Sequence, residues 1–142
     1  MRNANRGATL VELSIVITIA SALLAITIPR AAGFLDAIAV RGAVTEIESL
    51  FSIARHAAIS RGAQSRLSID PAVGEITVAV GTELIRKREV GEAHGVTLST
   101  NRTSMTYSPI GVGYGAANFS LVISRNSLSD TVVISRLGRI RH

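Results

Sequence analysis

Cysteine and tryptophan are absent from the 142-residue chain, aromatic residues make up only 4% of it, and Lys87 is its single lysine. Without cysteine there is no disulfide and no thiolate metal site, so packing and hydrogen bonds alone must hold the fold. His56, His94 and His142 stand far apart and lack metal-ligand spacing. There is no G-x-S-x-G elbow, and no P-loop lysine follows the glycines. Gly111, Gly113 and Gly115 are spaced like a phosphate-cradling loop, but they follow Pro109 and precede an apolar strand candidate, so they read as a connection. Asp70 and Glu75 flank a turn and shape it. The expectation is a protein that is not an enzyme, with no catalytic residue, no cofactor and no metal.

What the chain does have is apolar content, 47%, and a positive balance of +5. Its isoelectric point is near 11.0. Arginine supplies 14 of the 15 basic residues, and guanidinium suits bidentate contact with phosphates and carboxylates better than ammonium does. Such a balance favours anionic partners, nucleic acid or acidic lipid headgroups. It also fits a plain excess of arginine codons, so the placement of the charges has to decide.

Much of the apolar content lies at the start. Ala8 to Ile28 is a 21-residue run with one ionisable group, Glu12. At about 1.5 Å per helical residue it spans a hydrocarbon core roughly 30 Å thick. Arg2 and Arg6 precede it, which predicts a cytoplasmic N-terminus and an exported C-terminal part. The residues alone allow a secretory signal with "ASA" (20–22) as its cleavage site, against which Glu12 stands inside the apolar region. They equally allow a signal anchor whose Glu12 sits favourably at the positive end of the helix dipole.

Beyond the run, Pro29 lacks an N–H and is expected to kink or interrupt the helix. Helical periodicity then resumes, with Val40, Val44, Ile47, Phe51, Ala54 and Ala58 forming one apolar stripe for packing on a sheet. Gly62 provides a stop. If continuous, Ala8 to Arg61 would make a rod of roughly 80 Å, too long for a core of this size, so its N-terminal half should project. After Gly62 the period changes to two. Residues 66–69, 75–80, 83–90, 96–100, 104–108, 119–124 and 131–141 read as strands, with 109–118 a glycine-rich loop and "RNSLSD" (125–130) the bend of a closing hairpin. The fold class expected is α+β, a long N-terminal helix on an antiparallel domain of two small sheets.

Two stretches resemble a known family. "RG" followed by "ATLVE" resembles the processing site of type IV pilins and pseudopilins, in which Gly, then Phe-Thr-Leu-Ile-Glu, opens an unbroken apolar helix. Gly7 matches the residue before the cut, and Thr9, Leu10 and Glu12 match those after it; Ala8 departs from the usual Phe. "YSPIGVGYG", an apolar strand and "VVISRLGRIR" resemble the close of the GspH/FimT family of minor pilins and pseudopilins. Major pilins often close their last loop with a disulfide, and a chain without cysteine resembles a minor component.

The resemblance implies a type IV pilin-like fold with a prepilin leader at 1–7, a transmembrane helix at 8–29, an amphipathic helix half at 30–62 and an antiparallel β domain at 63–142. It implies cleavage after Gly7 by prepilin peptidase, with N-methylation of Ala8 less firmly implied, and a kink at Pro29. Glu12 would pair with the new amine of a neighbouring subunit, since carboxylates inside membranes are costly and usually partnered. Partners would be the peptidase, other major and minor pilin or pseudopilin subunits, and the inner membrane, crossed once before incorporation into a pilus or pseudopilus. "GRIR" (138–141) resembles a Gly-Arg-x-Arg ending associated with DNA binding in FimT-type pilins. That marks Arg136, Gly138, Arg139 and Arg141 for sequence-independent contact with double-stranded DNA. On a strand, Arg139 and Arg141 would share one face, about 6.6 Å apart. The alternative is a purely structural H component of type II secretion, at the tip of a short pseudopilus.

Overall fold

The computed structural model describes residues 9–114, 118–135 and 139–141. One helix, α1 (Leu10–Arg61), opens it. Thr9 caps it: its Oγ1 accepts the Glu12 N–H at 3.2 Å, satisfying a donor that the first turn leaves free. The helix is not interrupted at Pro29, contrary to one of the two expectations there. A missing N–H removes a single i→i−4 bond, and the turns on either side keep theirs. At the far end Gly62 adopts φ +59°, the Gly62 N–H donates to the Ile59 carbonyl, and the Ala63 N–H donates to the Ala58 carbonyl. This paired closure is the Schellman arrangement, which needs a left-handed residue and receives glycine.

The chain divides into two units at Leu35 and Asp36. In the first, the described residues from 9 onward are exposed wherever their side chains are placed, and the helix is long and apolar enough to cross a membrane. In the second, the stripe foreseen from periodicity is buried throughout. Val40, Val44, Ile47, Phe51, Ala54 and Ala58 are joined there by Ala43 and Leu50.

Two antiparallel sheets supply the rest of this core. The first has the order β3-β2-β1-β5-β6, from β1 (Ser65–Asp70), β2 (Glu75–Val80), β3 (Glu83–Glu89), β5 (Ser104–Tyr107) and β6 (Gly113–Tyr114). The second has the order β4-β7-β8-β9, from β4 (Thr97–Thr100), β7 (Phe119–Arg125), β8 (Leu128–Ile134) and β9 (Ile140–Arg141). Alternate residues face inward, as the period of two requires: Leu67 and Ile69, Ile76 and Val78, Leu121 and Ile123, Val132 and Ile134 are all buried. Phe51 of the helix meets Phe119 of β7 edge-to-face, ring centres 5.3 Å apart, which joins α1 to the second sheet.

The departures from the expected strands have local causes. Residues 83–90 end as a strand at Glu89, because Val90–His94 form a short helical turn, α2, that buries Val90. That turn depends on two glycines: a Cβ on Gly74, at φ +67°, would lie 2.6 Å from Gly91 Cα, and the Gly91 N–H donates to the Gly74 carbonyl at 3.0 Å. In β3, Val78 pairs Arg86 while Ala79 pairs Leu84, so Ile85 is an extra residue, and this bulge lets it pack against the core. The expected bend at 125–130 is mostly strand. Arg125 pairs Leu128, leaving a two-residue turn at Asn126–Ser127 with Asn126 at φ 52°. The expected loop 109–118 contains the short β6, and 131–141 is two strands, with Ser135 and Arg139 closing the bend between them.

Candidate functional site

Two regions carry the residues marked by the sequence. In the first unit, Gly7 and Ala8 lie outside the described residues, Pro29 is within the helix, and Glu12 is exposed in the first turn. The hydroxyl groups around Glu12 are satisfied by the helix itself. Ser14 donates to the Val11 carbonyl, Thr18 to Ser14, Ser21 to Ile17 and Thr27 to Leu23, at 2.7–2.8 Å. Such back-bonds let Ser and Thr enter an apolar setting without open hydrogen-bonding groups. The Glu12 carboxylate has no partner among the described residues. Within this run it is the acceptor left open among the described residues.

In the second unit, Arg139 and Arg141 line one concave surface of about 510 Å³ with Asn118, Val133 and Ser135. The two arginines come together, although β9 begins only at Ile140. Arg139 is held by its backbone, its N–H donating to Ser135 Oγ at 3.1 Å and its carbonyl accepting the Ser135 N–H at 2.8 Å. Arg141 stands opposite Val133, which stands opposite Ser120. This row faces outward, because the alternating Phe119, Leu121, Val132 and Ile134 face the core. Neither arginine is in an ion pair among the described residues. Arg136 and Gly138 lie outside the described residues.

A third cluster escaped sequence reading. Glu46 on α1 accepts from Arg88 Nε at 2.5 Å and meets His94 Nε2 at 2.8 Å. Asp36 accepts from Arg125 Nε and from Asn126 Nδ2, both at 2.8 Å, while Arg125 also donates to the His94 carbonyl. Hydrogen bonding from Asn126, with Arg125 beside it, outweighs partial burial and holds the Asp36 carboxyl below its usual range. For Glu46, burial pushes the other way but is outweighed by Arg88 and His94, so its pKa is also lowered. These contacts tie α1 to β3, α2 and the β7–β8 turn. The partners are 31 to 90 residues apart, a separation that no local pattern reveals. His56 bonds to Ser52, one turn before it, and no three His, Asp or Glu side chains gather into a metal-binding group among the described residues.

Residues 43–138, more than half of the chain, match the family described as type II transport protein GspH. The crystal structure of the type IV minor pilin FimU of Pseudomonas aeruginosa strain PAO1 in space group P21 is similar in fold. It has a TM-score of 0.64 and 17% identity, covering 76% of this chain and 90% of that one. A second crystal form of FimU, in space group P65, matches with a TM-score of 0.61 and 17% identity over 71% of this chain and 90% of that one. No curated protein sequence matches significantly.

Proposed function

The chain belongs to the GspH family, whose members are subunits of a type IV pilus or a type II pseudopilus, and on that premise we propose how it enters the filament and what it then touches. The residue divisions expected from the sequence are part of this proposal: a leader at 1–7, a membrane helix at 8–29, an amphipathic half at 30–62 and a β domain at 63–142. Prepilin peptidase removes Met1–Gly7, freeing an α-amino group on Ala8. The new subunit waits in the inner membrane with its β domain in the periplasm.

The observation that carries this reading is Glu12, without a partner among the described residues, on a helix whose neighbouring hydroxyls donate to its own backbone. A carboxylate held in an apolar layer is stabilised by an opposite charge. The amine of an adjacent subunit supplies it, so Glu12 favours assembly over the isolated monomer. Glu12→Ala should leave membrane insertion and cleavage intact and reduce recovery of the chain in sheared filaments at least tenfold. Unchanged recovery would return Glu12 to a capping role at the helix start.

We further propose that Arg139 and Arg141, flanked by Arg136 and Gly138, hold DNA by its phosphates, without reading bases. Their support is the shared concave surface and the absence of ion-pair partners among the described residues. A mobility-shift titration of the full chain in neutral detergent should show binding that Arg139→Ala/Arg141→Ala abolishes. A second reading is favoured by the match to a type II transport family: the same surface would contact neighbouring pseudopilins at a tip. Undiminished DNA binding by the double variant, or none by the unaltered chain, selects that reading.

A further inference from the structure

The first sheet has a concave surface of its own, of about 280 Å³, whose polar lining is Gln64, Arg66, Ser68, Thr77 and Thr106. It lies on the outward face. Arg66 and Ser68 alternate with buried Leu67 and Ile69, Thr77 lies between buried Ile76 and Val78, and Thr106 between buried Met105 and Tyr107. One guanidinium, one amide and three hydroxyls thus share a single concavity. None of these side chains has an ion pair or a hydrogen bond among the described residues. Polar groups gathered at a concavity and left open there suit a ligand that supplies their partners.

The register of the sheet adds an aromatic ring. Arg66 stands opposite Thr106 of β5, and Thr106 stands opposite Tyr114 of β6. Tyr114 therefore shares the outward face and is 56% exposed. It is two strand spacings from Arg66, roughly 10 Å. Its ring presents an apolar face with a polar tip beside the hydroxyl of Thr106.

Charge on the same face limits what the ligand is. Asp70, Glu75 and Glu89 stand side by side across β1, β2 and β3, and Lys87 Nζ lies 2.7 Å from Glu75 Oε2. These strands thus turn two cations, Arg66 and Lys87, and three carboxylates outward, so the face is net negative. Repeated phosphates are repelled by it. A single carboxylate is accommodated, because Arg66 lies about 13 Å along β1 from Asp70.

We propose that this surface binds a carbohydrate bearing one carboxylate, a uronic acid residue. Sugar hydroxyls both donate and accept, as do those of Ser68, Thr77 and Thr106 and the amide of Gln64. The Arg66 guanidinium matches a carboxylate in planar, bidentate geometry, and Tyr114 takes the apolar C–H face of the ring. The site is separate in sequence from Glu12 and from the arginine ending, and rests on neither the filament reading nor the DNA reading.

The test uses the full chain in a neutral detergent without a sugar headgroup, titrated with methyl β-glucuronide and with methyl β-glucoside. These probes differ by the carboxylate, and binding is read by ligand-observed magnetic resonance. The unaltered chain should bind the glucuronide about tenfold more tightly. Arg66→Ala and Arg66→Gln should each remove that preference while leaving glucoside affinity within about twofold. Tyr114→Ala should weaken both sugars about fivefold, and Tyr114→Phe should not. Both side chains are exposed, so circular dichroism and the thermal midpoint should be unchanged in every variant. No binding of either sugar by the unaltered chain, or an unchanged preference in the Arg66 variants, would overturn the proposal. So would an Arg66→Ala/Tyr114→Ala chain that loses a short single-stranded DNA as fully as Arg139→Ala/Arg141→Ala does, which would assign this face to nucleic acid.

Discussion

One helix is used in two opposite ways. Along residues 10–35 its apolar side chains point in all directions and the placed ones are all exposed, from Leu10 at 86% to Leu35 at 61%. Along residues 36–61 apolar side chains recur at helical spacing, and those on one stripe are buried. Both stretches form helix, so local conformation does not separate them. What separates them is where the partner of the apolar surface lies. The second stretch finds it in the two sheets of the same chain, whereas the first finds none among the described residues. By length and apolarity that first stretch could cross a membrane.

Paired substitutions in the full chain, in neutral detergent, can break this contrast. The largest effect is expected at Phe51, which is buried against Phe119. Phe51→Ala should lower unfolding stability by about 3–5 kcal/mol, while Phe34→Ala should change it by less than about 0.5 kcal/mol. A comparable loss at Phe34 would mean that the first stretch already has a partner within the chain.

Glycines sharpen the same contrast at smaller scale. Gly74→Ala should cost about 2 kcal/mol, because a left-handed residue would gain a side chain and its Cβ would meet the backbone of Gly91. Gly33 has open space at its Cβ. Gly33→Ala should therefore leave the fold intact and raise helix stability by up to about 1 kcal/mol, read as helical circular dichroism on heating.

The smallest effect is expected with pH. Asp36 and Glu46 are both lowered, so they stabilise the folded state at pH values above the ordinary carboxylate range. That contribution is lost as pH falls through about 4 and below. The thermal midpoint of the second unit should drop over that interval, and less steeply in Glu46→Gln. An unchanged slope in this variant would mean that the contacts of Glu46 do not bear on stability.

How much was legible in the chain depended on the reach of each interaction. The stripe from Val40 to Ala58, the glycine stop at 62 and the strands 75–80 and 119–124 follow from neighbours within a few residues, and the structure has them nearly as read. The helical turn at Val90–His94 was missed. What makes it fit is the approach of Gly91 to Gly74, a contact between segments 17 residues apart. The bulge at Ile85 and the extension of β8 back to Leu128 were missed for a similar reason, since strand partners set their register.

The same division holds for the sites. The sequence by itself determined that a single carboxylate stands in the long apolar run, and that arginines alternate near the end. Composition and order are enough for both. Only the tertiary structure decided that Asn101 completes a row with Ser120, Val133 and Arg141 across the second sheet. Strand order in a sheet is set by which apolar faces can be buried together, and it brings residues 40 positions apart into one line.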